Sequence, residues 1–134
     1  MTYRILLLGD SQQRDLYPLS TLKVSLDRLL LDSINLIASF DIFQQVMTGF
    51  RPHLVILNHQ KGKRNLDISR WVKNQGGLTA IQFTEGRPNT VGQMKWLTDF
   101  PPELCDLCLC WSKEVRSNLH PSINSEVVGF PRLP

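Results

Sequence analysis

The stretch Pro52 to Asn65, PHLVILNHQKGKRN, constrains this chain most. Its first half, Leu54 to Leu57, is apolar at every position and is entered through a proline. A strand with one wet face alternates between apolar and polar residues. A run without alternation is buried on both faces, as in a parallel sheet covered by helices. The second half is the reverse: Asn58, His59, Gln60, Lys61, Lys63, Arg64 and Asn65 make a polar, basic loop at the strand's carboxyl end. In open α/β sheets ligands bind in the crevice outside the strand carboxyl ends. The stretch therefore predicts both a fold class and the edge where function should lie.

The rest of the chain alternates to match. Tyr3 to Leu8 reads as a strand closed by Gly9-Asp10-Ser11, and Leu19 to Leu31 has the apolar spacing of an amphipathic helix. Ser33 to Ala38 reads as a short strand. Ser39 is placed to cap a second helix with Asp41 in its first turn and Ile42, Phe43, Val46, Met47 and Phe50 on one face, stopped by Gly49 and Pro52. After the central strand come a helix from Leu66 to Asn74 carrying Ile68, Trp71 and Val72, a Gly76-Gly77 stop, and a strand from Leu78 to Phe83. Val91 to Leu97 suits a helical turn, Phe100-Pro101-Pro102 a break, and Leu104 to Trp111 a further buried strand. A helix from Ser112 to Leu119, capped by Ser112, and a strand from Ser125 to Val128 complete the series. Strand and helix in alternation predict a three-layer, Rossmann-like α/β domain with a mostly parallel sheet, one domain over residues 1–134.

Composition narrows the function classes. At 134 residues, 42% hydrophobic and 20% charged, the chain has ordinary globular make-up. Its net charge of +3 suits an acidic or phosphate-bearing ligand, but no basic stripe interleaved with aromatics predicts nucleic acid binding. No window approaches the ~18–20 apolar residues of a membrane span, and the apolar run at the N-terminus is too short for a signal peptide. Cys105, Cys108 and Cys110 are an odd set within one apolar run, which fits a reducing, cytoplasmic setting. Without a second Cys or His pair they read as small core hydrophobes, so no metal and no cofactor is expected.

Two local motifs carry resemblances. Gly9-Asp10-Ser11 after a strand resembles the opening block of GDS-type (SGNH) esterases, whose serine is a nucleophile. A serine needs a base and an orienting acid, and three residues before His120 stands Ser117 where that family has the acid. The plainer alternative is a polar turn. RPHLVILN resembles the middle of a response-regulator receiver, with Asn58 where the phosphorylated Asp would be. An amide cannot form an acyl phosphate, so this resemblance implies at most a degenerate receiver acting as a partner-binding module. No glycine-rich phosphate loop is present.

What remains is distributed over one sheet edge. Asp10 and Ser11 follow the first strand; Asn58, His59, Lys61 and Arg64 follow the central one; Glu85, Gly86 and Arg87 follow the next; Ser112 and Lys113 follow CDLCLCW. Hydroxyls, amides, a carboxylate and cations gathered in one cleft suit a sugar or sugar phosphate. The order of LNHQKGKRN, a helix ending in Gly-Gly, Thr84-Glu85-Gly86, CWSKEV and VVGFPR resembles the amino-terminal domain of bacterial surface-carbohydrate biosynthesis proteins, glycosyltransferase-like enzymes of the two-Rossmann-domain (GT-B) type. The resemblance implies that this domain holds a sugar or glycan acceptor, while a donor-binding domain, separate or missing, takes the nucleotide-sugar. It also implies Glu85 as acceptor contact or general base. The chain stops at Pro134, about where the linker to the second domain would begin, so no transferase activity is expected of it alone.

Overall fold

A strand β1, Tyr3–Gly9, lies inside the sheet, and its residues Leu6, Leu7 and Leu8 are wholly buried. The computed structural model describes residues 1–9, 12–58, 62–82, 101–110 and 112–128. Helix α1 follows (Gln12–Leu29), then β2 (Ser33–Ser39), a 3-10 turn (Phe40–Ile42), α2 (Phe43–Phe50), β3 (Leu54–Leu57), α3 (Lys63–Asn74) and β4 (Leu78–Gln82). After a second 3-10 turn (Pro102–Leu104) come β5 (Leu107–Cys110), α4 (Lys113–Ser117) and β6 (Ser125–Val127). The six strands form one sheet in the order β2-β1-β3-β4-β5-β6, parallel at every pairing. This is the Rossmann-like three-layer α/β architecture that the unbroken apolar runs predict.

Alternation along the strands divides the core into two. Leu6, Leu8, Val55, Leu57 and Ile81 face α2 and α3 together with Met47, Ile68 and Val72, whereas Ile5, Leu7, Ile56 and Ala80 face α1 with Leu19. Each fully buried Leu or Ile contributes about 1.5–3 kcal/mol. Covering both faces is what makes β3, and β1 from Ile5 to Leu8, apolar at every position.

Several boundaries differ from the sequence reading. Helix α1 begins at Gln12 and runs through Pro18, well before Leu19. The polar residues and the proline suggest a break, but Asp15 is buried against the end of β1 and anchors the turn ahead of the proline. Ser39 caps as expected, its Oγ accepting from the Asp41 N–H at 3.2 Å, but it caps the 3-10 turn and not α2 itself. Gly49 does not stop α2. The stop is Arg51, in the left-handed region at φ 50°, with its N–H on the Met47 carbonyl. Trp71, expected on the apolar face of α3, is 38% exposed. Leu104 belongs to a 3-10 turn, so β5 is shorter than the apolar run that contains it. Gly76-Gly77 acts as expected: Gly76 takes φ 78°, and a Cβ on Gly77 would stand 2.8 Å from Val72 Cγ1. The turn expected within Val91 to Leu97 lies outside the described residues.

Candidate functional site

The sheet reverses its direction of growth between β1 and β3. From β1 the chain passes through α1 to β2 on one side; from β2 it returns through α2 to β3 on the other. Adjacent strands that send their chains over opposite faces leave a crevice at their carboxyl ends, the usual ligand position in such sheets.

Three polar side chains are sunk into that edge on the α1 face. Gly9 ends β1 without a side chain; a Cβ there would lie 3.0 Å from both Asp15 Cβ and Leu19 Cδ1, so the glycine lets α1 settle on the strand end. Asp15 is 1% exposed, and Asn58, just beyond β3 and 0% exposed, donates its Nδ2 to Asp15 Oδ2 at 3.0 Å. Withdrawing a carboxylate from water is costly unless donors meet it, and Asn58 is one such donor. Gln82, at the end of β4, shares the α1 face with Ala80 by alternation and is 8% exposed. Its Oε1 is buried and has no hydrogen-bond partner among the described residues. Such an atom costs about 1–3 kcal/mol, and in a native fold it marks a place where something besides stability is served.

On the opposite face the Arg64 guanidinium sits 4.4 Å from the centroid of the Phe40 ring. Phe40 itself is buried, so the ring holds the cation in place beside the strand ends. Ser112 caps α4, its Oγ accepting from the Val115 N–H at 3.3 Å, and leaves its own proton to donate elsewhere. Lys113, the first residue of α4, is exposed at a position where the helix dipole opposes a cation.

Of the residues singled out in the sequence, the structure brings Asn58 to Asp15 and Arg64 to Phe40 and assigns Ser112 to its own helix. Asp10, Ser11, His59, Lys61, Glu85, Gly86 and Arg87 lie outside the described residues. Sequence reasoning missed Asp15 and Gln82. Asp15 stands four positions before Leu19 and hence on the same buried stripe of α1, a signal hidden by starting the helix after Pro18.

All three cysteines are buried. Burial pushes the Cys105 thiol up to about 12. The Cys108 thiol is also raised, first by its hydrogen bond with Cys110 and then by burial. Cys105 and Cys108 are therefore protonated core residues at neutral pH, whereas the same hydrogen bond with Cys108 lowers the Cys110 thiol. Among the described residues no group of three His, Cys, Asp or Glu could hold a metal ion, and no helix is long and apolar enough to cross a membrane. No protein-family model matches the chain, and no curated protein is significantly similar to it.

Proposed function

We propose that this domain is the acceptor-side half of a glycosyltransferase-like protein of surface polysaccharide biosynthesis, holding a sugar or glycan acceptor while a second domain supplies the nucleotide-sugar. The observation that carries this reading is the switch point between β1 and β3, at whose carboxyl edge polar groups replace the apolar ones of the strands. Arg64 and Lys113, exposed in the first turns of the helices that follow β3 and β5, suit a ligand rich in hydroxyls and bearing a negative charge. In this reading Glu85 accepts the proton of the attacking hydroxyl.

A second reading, a degenerate receiver that binds a partner protein, draws on the order 2-1-3-4-5, which receivers share, and on Asn58 at the end of β3. The sixth parallel strand beyond β5 exceeds that five-stranded plan and favours the first reading. The test is an amide-resolved NMR titration of the chain with neutral and uronic oligosaccharides at millimolar concentrations. Saturable shifts at Asn58, Arg64 and Lys113, weakened by Arg64→Ala and Lys113→Ala, are expected. Flat titrations across both saccharide classes would end the acceptor reading.

A further inference from the structure

We propose that the amino edge of the sheet carries a second binding site, for a small anion borne on a planar ring, in the cavity between the C-termini of α2 and α3. The cavity measures about 620 Å³, within the range of small-molecule sites, and Arg4, Arg51, His53, Trp71 and Gln75 line it. It lies at the start of β1, β3 and β4, the opposite end of the strands from the proposed acceptor site.

Two arginines line the cavity, and no acidic residue among those described lines it. Among the described residues neither Arg4 nor Arg51 makes an ion pair. Arg4 donates its Nε to the Arg51 carbonyl at 2.8 Å, which fixes the side chain and leaves the outer edge of its fork to a ligand. Arg51 holds a left-handed backbone, φ 50° and ψ 65°, immediately before Pro52. Glycine suits that position better, and an arginine kept in a strained conformation points to use of its side chain. His53 accepts the Arg4 backbone N–H on Nδ1 at 3.0 Å, so its remaining proton sits on Nε2 as a further donor. Its ring is set edge-on to Tyr3, with centroids 6.1 Å apart. Trp71, half-open where its neighbours Ile68 and Val72 are buried, supplies an apolar wall on which a planar ring can stack.

The bland alternative is that both arginines only offset the helix C-termini. Those ends are already met by backbone donors: Arg51 N–H takes the Met47 carbonyl, Gln75 N–H those of Trp71 and Val72, and Gly76 N–H that of Lys73. Two whole positive charges exceed the about half-unit of negative charge at each helix end. The excess is cationic, and planar forks favour phosphate or carboxylate oxygens.

The probe is AMP, titrated into the chain by calorimetry and by amide-resolved NMR, with adenosine and inorganic phosphate as its two halves. Saturable binding of AMP, shifts at Arg4, His53 and Gln75, and far weaker binding of either half are expected. Arg51→Gly removes the charge while relieving the left-handed strain, so it folds at least as well as the parent. Its affinity should fall about tenfold or more. AMP binding unchanged in Arg51→Gly, no saturation at millimolar AMP, or shifts confined to Asn58 and Lys113 would each overturn the site. Saccharide binding at the carboxyl edge should be untouched by Arg51→Gly, so the two proposals stand or fall separately.

Discussion

The two ends of the strands handle polar groups in opposite ways. At the carboxyl edge they are withdrawn from water: Asp15 and Asn58 are buried against each other, and Gln82 keeps an amide oxygen with no partner among the described residues. At the amino edge the ion pair of Lys73 and Asp106 stays part in water and is used as a fastener. Asp106 takes the Lys73 ammonium on both oxygens, at 2.7 and 2.9 Å, and the Thr79 backbone N–H at 2.8 Å, while Thr79 Oγ1 donates to the Leu104 carbonyl at 2.6 Å. One carboxylate thus ties α3, β4 and the start of β5 together. The contrast teaches that polarity alone does not mark function at a sheet edge. Satisfied, half-exposed groups hold the fold. Groups buried short of partners, or charged without counter-charge, are the ones that need another explanation.

Asn58→Asp should break this contrast most severely. It would set two buried carboxylates in contact and turn a donor into a repelling charge, at a cost of about 3–5 kcal/mol. Thermal unfolding at neutral pH should move down by roughly 10–20 °C. Repulsion raises the folded pKa of one carboxyl above its unfolded value, so the deficit should shrink as pH falls through that raised value. A variant as stable as its parent, or one rescued by magnesium ion, would dismiss the brace and revive the receiver-like reading.

Asp106→Ala comes next. It leaves the Thr79 N–H buried without its acceptor and Lys73 without its counter-ion, and should cost about 2–3 kcal/mol by urea unfolding. Lys73→Met, which leaves the Thr79 bond in place, should cost about 1 kcal/mol or less because the pair is only part-buried, with side chains 29% and 32% exposed. Equal losses in the two variants would mean that the ion pair, and not the backbone bond, is the fastener.

How much of this could be read in the sequence follows from where partners lie along the chain. The unbroken run Leu54–Leu57 is a local pattern, and the structure returns it as β3 with the same bounds. Ser112 and Gly76 act within a few residues of themselves and were legible too. The Asp15–Asn58 brace spans 43 positions and the Lys73–Asp106 pair 33, and nothing near either residue announces its partner. The amino-edge cavity was invisible for the same reason. It assembles Arg4, Arg51 and Trp71 from three elements, and attention to strand carboxyl ends looks away from it. Arg51 misled directly: Gly49 offered the glycine a helix stop prefers, yet the left-handed turn fell two residues later.

That displacement gives a smaller prediction of opposite sign. Arg51→Gly should stabilise the fold by about 1 kcal/mol, since a left-handed conformation costs an L-residue roughly that much. Glycine's greater freedom in the unfolded chain works against the gain. A clear loss on denaturant unfolding would show that the arginine side chain contributes to the amino edge as a fastener like Asp106, and would weaken the contrast drawn there.

The smallest effect should come from the most exposed fastener at this edge. Asp27, near the end of α1, accepts from Lys23 Nζ at 2.6 Å and from Asn35 Nδ2 at 2.7 Å, and these two hydrogen bonds, that of Lys23 first, lower its pKa. A carboxyl whose folded pKa lies below its unfolded value stabilises the native state only when ionised. Its contribution is whole above the unfolded value of about 3.9 and disappears as pH falls through the folded one. The parent and Asp27→Asn should therefore differ slightly in unfolding midpoint at neutral pH and converge below about pH 4. Because the pair is exposed, salt should narrow the difference at neutral pH as well. A gap that persists unchanged in acid would assign the effect to Asn35, whose buried Oδ1 has no partner, and not to the charge of Asp27.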